Sequence, residues 1–323
     1  MQIYEYNYTM TTIISGFLSG IGVFIFAIYL LNTSLSETDF KISEKTEKRI
    51  NNPFFGFFAG IFSSMLTQSS SAVNSVAVQL SDKKIIKDES AYFVVMGTNI
   101  GTTVTAYIAI LSTLKISEIF ISLIFFSSIG LMAIKNKKLR LPATWISVFS
   151  MIFIGLKIIS QTIPSLTELI GYEIFIDKNP IYLLIISTLI TALCQSSSLV
   201  SVVVVTLSGL GAVSIEGAIF MIIGANVGTC STAMLAAVGK SKDGVNVAMF
   251  NLVFNILGLI VHVFAYYTGL LNWFIDLNVA PDTKIALYHT FFNVSSVLFA
   301  FPFVKEIGSL LNFSFPKRKR KAI

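Results

Sequence analysis

One glutamine followed by three serines occurs twice in this chain, at Gln68–Ser71 and again 127 positions later at Gln195–Ser198. No acid/base or nucleophile constellation accompanies either run, so the chemistry on offer is ligation rather than catalysis. Each run lies where an apolar limb stops and a helix begins. A helix N-terminus leaves backbone N–H groups unpaired and carries partial positive charge, which favours an anion. Serine hydroxyls add donors to that anion. The same hydroxyls, the Gln carbonyl and freed backbone carbonyls are also acceptors for a hard cation. Such a site holds an oxyanion and an alkali cation together without a charged side chain. The plainer role is to satisfy the turn's backbone and let helices pack closely; the duplication favours ligation.

A second repeated block follows each run, Gly97-Thr-Asn-Ile-Gly-Thr-Thr103 and Gly224-Ala-Asn-Val-Gly-Thr-Cys230. Glycines two positions either side of Asn99 and Asn226 loosen a helix and admit another backbone. The Asn and Thr oxygens then face inward as candidate ligands; the competing role is helix packing at glycine notches. His262 and His289 stand alone on apolar segments with no cluster to make them a metal site. Cys194 and Cys230 replace Thr67 and Thr103 of the other copy and read as small fillers, not a disulfide pair.

The elements that hold these motifs are membrane elements. Hydrophobic residues make up 54% of the chain and charged residues 12%, about half the ~25% of a soluble domain; the mean hydropathy is +0.78. Runs long enough to cross a ~30 Å hydrocarbon core cover Thr12–Leu31, Ala91–Leu114, Ser117–Ile134, Pro142–Ile163, Ile215–Val238, Val245–Leu271 and Thr283–Phe303. The first run has no basic flank or cleavage site and reads as a permanent helix. Pro53–Leu80 and Pro180–Leu207 differ. Each starts at Asn-Pro, runs about 14 apolar residues or ~21 Å of helix, and meets the polar run. These are re-entrant hairpins, tolerated only where they are buried or line a cavity. The fold class is an all-α integral membrane protein of about seven transmembrane helices plus two hairpins.

Shifting the chain by 127 residues aligns Asn52–Ala106 with Asn179–Ala233 without a gap, with 21 identities in 55 positions, the mark of a structural duplication. Glu89/Glu216 and Thr105/Thr232 are among them. The units are 12–140 with its hairpin at 53–80, 141–271 with its hairpin at 180–207, an extra helix at 283–304 and a basic cytoplasmic tail at 305–323. With the N-terminus outside and the C-terminus cytoplasmic, 19 of the 23 basic residues fall on the cytoplasmic side, as the positive-inside rule requires. Three crossings then separate the copies, so they are inverted, and the hairpins enter from opposite faces. Inverted repeats with broken helices at the midplane are a transporter architecture. The net charge of +6 is explained by orientation in a membrane, and no nucleic-acid partner is expected.

At these residues the chain resembles the type II sodium-dependent phosphate cotransporters. The stretches that carry the resemblance are LTQSSSAVNS, MGTNIGTTVTA, LCQSSSLVS, GLGAVSIEGA, GANVGTCSTAMLAAVG and ALYHTFFN. The resemblance implies symport of inorganic phosphate with sodium across the cell membrane, without catalysis and without an organic cofactor. It implies phosphate ligands at Ser69, Ser70, Ser71, Ser196, Ser197 and Ser198. It implies sodium ligands at Gln68, Gln195, Ser75, Asn99, Thr102, Ser201, Asn226 and Thr229. Two departures stand out. Ser201 is followed by four valines where relatives carry hydroxyls, and Asn74 replaces a hydroxyl residue. The C-terminal regulatory domain of some bacterial relatives is also expected to be lacking.

Importing a divalent phosphate against an inside-negative potential costs about 4.6 kcal/mol per 100 mV. At least two sodium ions are therefore expected with each phosphate. The alternatives are a carrier of another oxyanion, an exporter of the same fold, and more distantly a passive channel or a scaffold that does not transport.

Overall fold

A computed structural model describes residues 2–37, 49–112, 117–132, 137–170 and 179–314. The loop lysines 41, 45, 48, 115, 135 and 178 and the basic run at 317–321 lie outside the described residues. Nine of the 19 basic residues on the expected cytoplasmic side are among them, and the other ten fall on described residues.

The described residues form helices and turns, with no strand among them. In chain order the helices are α1 (Gln2–Glu37), α2 (Pro53–Thr67), α3 (Ser70–Asp82), α4 (Asp88–Thr102), α5 (Val104–Ser112), α6 (Ser117–Met132) and α7 (Lys137–Ile170). They continue with α8 (Pro180–Cys194), α9 (Ser197–Gly209), α10 (Ile215–Gly228), α11 (Cys230–Ala236), α12 (Lys242–Tyr267), α13 (Asn272–Ile275), α14 (Pro281–Ala300) and α15 (Val304–Ser314). Six helical stretches among the described residues are long and apolar enough to cross a membrane. The remaining expected span, 117–134, is the 16-residue α6, described as far as Met132.

The two hairpins start and stop by the same chemistry. Asn52 caps α2, its Oδ1 accepting from Phe54 N at 3.0 Å, and Asn179 caps α8 by accepting from Ile181 N at 2.9 Å. Pro53 and Pro180 occupy the first turn, where a missing N–H costs nothing. At 15 residues each, α2 and α8 are about 22 Å long, too short to span. Each ends on a glutamine in the left-handed conformation, Gln68 at φ 51° and Gln195 at φ 54°.

Gly97 and Gly101 let α4 press against α2. A Cβ on Gly97 would fall on the Phe57 carbonyl, and one on Gly101 on the Ile61 carbonyl. In the second copy Gly224 and Gly228 press α10 against α8, at the Leu184 and Thr188 carbonyls. Leu184 and Thr188 are the repeat equivalents of Phe57 and Ile61. The glycines thus serve as packing notches, the competing role weighed above. They also precede a break. The expected single spans at 91–114 and 215–238 each divide, at Thr103 and Thr229, where Thr103 N donates to Ile100 O (3.1 Å) and Thr232 N to Thr229 O (3.3 Å).

Outward faces remain apolar. Phe54, Phe58 and Phe62 line one side of α2 and are exposed, as lipid-facing residues are. Residues 305–314, the first part of the stretch read above as the tail 305–323, are helical. Val304, Ile307 and Leu311 recur at helical spacing and are buried, so α15 docks an apolar stripe before the basic run begins.

Ala at Gly97 or Gly224 forces two backbones apart and is expected to destabilise the protein by about 1–3 kcal/mol. Thermal unfolding in detergent checks this, with Gly22→Ala and Gly130→Ala, where a Cβ meets nothing within 4 Å, expected to show no loss.

Candidate functional site

Each Gln-Ser-Ser-Ser run is a helix stop fused to a helix start. The glutamine ends one helix in the left-handed region, which costs a non-glycine residue energy and persists only when its surroundings hold it. The next serine is extended, Ser69 at φ −148° and Ser196 at φ −144°. Its hydroxyl caps the following helix, Ser69 Oγ accepting from Ala72 N at 3.2 Å and Ser196 Oγ from Leu199 N at 3.3 Å. Ser70 and Ser197 begin α3 and α9 and are both buried.

The third serines join the two halves. Ser71 Oγ donates to the Gln195 carbonyl at 3.1 Å, and Ser198 Oγ donates to the Gln68 carbonyl at 3.1 Å. Each hairpin therefore holds the other's left-handed glutamine, in a reciprocal arrangement that a local twofold axis requires. Two helix N-termini, two capping hydroxyls and the Gln68 carboxamide meet there. The site offers N–H and O–H donors for an anion and neutral oxygens for a cation. Among the described residues no group of three or more His, Cys, Asp or Glu is placed to hold a metal.

The flanking candidates lie on either side of this crossing. Ser75 Oγ donates back to Ser71 O at 2.9 Å, whereas Ser201 Oγ is fully buried and has no partner among the described residues. Asn99 and Asn226 tie their Nδ2 to Val95 O (2.9 Å) and Ile222 O (2.8 Å), leaving Oδ1 as the acceptor that the intrahelical bond does not use. Thr102 and Thr229 donate to the carbonyls four residues earlier, at 2.8 and 3.0 Å. Thr102 also meets Ser64 Oγ at 3.1 Å, which places it at the α2–α4 contact rather than in the crossing. Asn74 accepts from Thr98 Oγ1 at 2.8 Å; its equivalent Ser201 faces Ala225 at that position of the repeat, and the bond has no counterpart. The two cysteines are free. His262 is held by Tyr288 Oη at 2.9 Å and Ser295 Oγ at 2.8 Å, a satisfied core histidine.

Thr105 was missed as a site residue. Its Oγ1 donates to Gln68 Oε1 at 2.7 Å and lies 3.3 Å from Ser198 Oγ, while Gln68 Nε2 donates to Met65 O at 2.5 Å. The identity of Thr105 with Thr232 in the repeat was the available signal. The second half differs sharply. Gln195 is exposed where Gln68 is buried, and Thr232 Oγ1 is buried without a partner among the described residues.

A family model described as Na+/Pi-cotransporter matches residues 23–161 and 174–277. The chain belongs to the Na+/Pi-cotransporter family. Among its relatives is YqeW of Bacillus subtilis (strain 168), an uncharacterised protein 26% identical over 86% of this chain and 90% of its own length. A second, the "Putative inorganic phosphate export protein YjbB" of Escherichia coli (strain K12), is 25% identical over 90% of this chain and 54% of its own length. This Na+/Pi-cotransporter family member thus spans about half the length of its YjbB relatives. The rat "Sodium-dependent phosphate transport protein 2C" is 34% identical over 27% of this chain and 13% of its own length. No solved structure matches.

The asymmetry between Thr105 and Thr232 has opposite consequences for one substitution. Thr105→Val leaves Gln68 Oε1 without its donor and is expected to cost about 1–3 kcal/mol, whereas Thr232→Val removes an unpaired hydroxyl and is expected to be neutral or stabilising. Parallel thermal melts of the two variants read the difference.

Proposed function

We propose that this chain is a sodium-coupled symporter of inorganic phosphate in the cell membrane, working by alternating access around the crossed Gln-Ser-Ser-Ser turns. The observation that carries the reading is the reciprocal bonding of Ser71 to Gln195 O and Ser198 to Gln68 O. It brings two helix starts to one place, where amides and hydroxyls suit a phosphate oxyanion and neutral oxygens suit sodium. Ser69–Ser71 and Ser196–Ser198 take the phosphate in this reading; Gln68, Gln195, Ser75, Ser201, Asn99, Asn226, Thr102 and Thr229 supply sodium ligands. The inverted units at 12–140 and 141–271 move against one another, with the N-terminus outside and the C-terminus in the cytoplasm. At least two sodium ions accompany a divalent phosphate, cancelling its charge.

The unequal glutamines support alternation. With Gln68 clasped by Thr105 and Gln195 exposed, one half is closed over the crossing and the other open. In the opposite-facing state Thr232 clasps Gln195 and Thr105 releases Gln68, so the two halves exchange roles. Twofold-related parts make the two states close in energy, as a carrier requires.

A second reading, phosphate export, is favoured by one finding, the alignment of 90% of this chain with a relative whose printed name includes phosphate export. Reconstituted protein separates the two. Symport predicts accumulation of labelled phosphate in proteoliposomes only under an imposed sodium gradient, with Gln68→Ala and Gln195→Ala each slowing uptake about tenfold or more. Sodium-independent efflux down a phosphate gradient would instead support export, and folded protein with no phosphate flux would overturn both.

A further inference from the structure

The helix α14, outside the two repeat units, has a counterpart in α12, which lies just beyond the aligned stretch of the second. α12 and α14 carry the same buried pattern 38 positions apart: Ala248, Phe250, Asn251, Phe254 and Asn255 against Ala286, Tyr288, His289, Phe292 and Asn293. All ten side chains are exposed by 1% or less. One internal bond matches as well. Asn255 Nδ2 donates to Asn251 O at 2.8 Å, and Asn293 Nδ2 donates to His289 O at 2.9 Å.

The two helices dock equivalently on the two hairpins. Asp82 and Gly209, repeat equivalents, end α3 and α9. Ser241, just before α12, donates its N–H to Asp82 Oδ1 at 2.6 Å, and a Cβ on Gly244 would lie 3.1 Å from Val78 O. At the other hairpin Ser208 Oγ donates to Pro281 O at 3.3 Å, and a Cβ on Gly209 would lie 3.2 Å from Asp282 Cβ. Thus α12 stands to α3 as α14 stands to α9.

One polar atom is left over at the same place in each. Asn255 Oδ1 and Asn293 Oδ1 are buried and have no partner among the described residues. Asn255 spends its Nδ2 on Asn251 O and Asn251 Oδ1 (3.0 Å) and Asn293 spends one N–H on His289 O, so in each the unmet atom is the acceptor. A buried acceptor left unmet is costly, and two at equivalent positions argue against accident. About a turn before each asparagine, its helix meets a segment that follows a Gly-x-Asn-x-Gly-Thr block. Cys230 Sγ, at the start of α11, contacts Asn226 O at 3.9 Å and Asn251 O at 3.5 Å. Thr290 of α14 meets Tyr107 Oη of α5 at 2.9 Å.

We propose that Asn255 Oδ1 and Asn293 Oδ1 are ligands in two separate, twofold-related sites for a small monovalent cation, sodium under the symport reading on which this rests. Neutral oxygens suit such an ion, and a pair of sites matches the two charges of a divalent phosphate. The helix that sequence comparison set apart thereby becomes half of the ion machinery. His289 Nδ1 and Nε2, Asn251 Nδ2 and Ser296 Oγ, also unpaired among the described residues, are polar neighbours within a turn or two of these oxygens along α12 and α14.

The test is a sodium titration of thermal stability in phosphate-free detergent, with choline replacing sodium. The wild-type chain is expected to respond with a Hill coefficient above one, approaching two, and Asn255→Leu and Asn293→Leu each to lower it to about one. Both leucine variants are expected to keep or gain stability in choline, because an unmet acceptor is gone. Asn255→Asp and Asn293→Asp, which keep the oxygen, are expected to keep the sodium response, and they stand in should a leucine variant not fold. A wild-type response that both leucine variants reproduce, or a wild-type coefficient of one, overturns the twin sites and leaves symport standing. A wild type blind to sodium overturns the coupling to sodium as well.

Discussion

Backbone polar groups at membrane depth must find partners within the protein, since no water of the bilayer core will serve. Two helices that stop short of crossing violate that demand unless something receives their ends. Here each end is received by the other hairpin. The carbonyl of a left-handed glutamine accepts from the third serine of the opposite turn, in both directions. Breaking one of these bonds exposes a strained residue and a buried carbonyl together, so the crossing and the duplication depend on each other. The glycine notches, which set α4 on α2 and α10 on α8, hold the hairpins at the right depth for the serines to meet their partners.

Identical residues in a twofold frame do not make an identical environment. Gln68 sits in a closed network of Thr105, Ser198 and Met65, whereas among the described residues Gln195 is held through its carbonyl and is exposed. Thr98 with Asn74 makes a bond that Ala225 with Ser201 cannot. The valines after Ser201 deepen the difference, since Val202, Val204 and Val205 are buried in the apolar core around α9. One half is therefore stiffened by polar contacts and the other by packing.

Much of this was legible from residue order. Asn-Pro ahead of an apolar limb, a polar run behind it and a fixed repeat gave the hairpins, because capping chemistry and periodicity are local. The Na+/Pi-cotransporter resemblance, read on the same residues, matches the family to which the chain belongs. What could not be read depended on neighbours distant in sequence. That Gly97 and Gly101 admit another backbone was legible; that the Phe57 and Ile61 carbonyls fill the notches was not. Thr105 stood in the alignment as one identity among many, with nothing to say that its hydroxyl reaches Gln68. The kinship of α12 with α14 was hidden because only three of its five matched pairs are identical, spread over eight positions. The apolar stripe of α15 was masked by the basic run that follows it.

Density for a bound anion tests the central claim most directly. In a map of the protein prepared with phosphate and sodium, the account predicts a tetrahedral feature against the backbone amides and hydroxyls of Ser69–Ser71 and Ser196–Ser198. Phosphate bound elsewhere, with the two turns closed on each other and nothing between them, would contradict it.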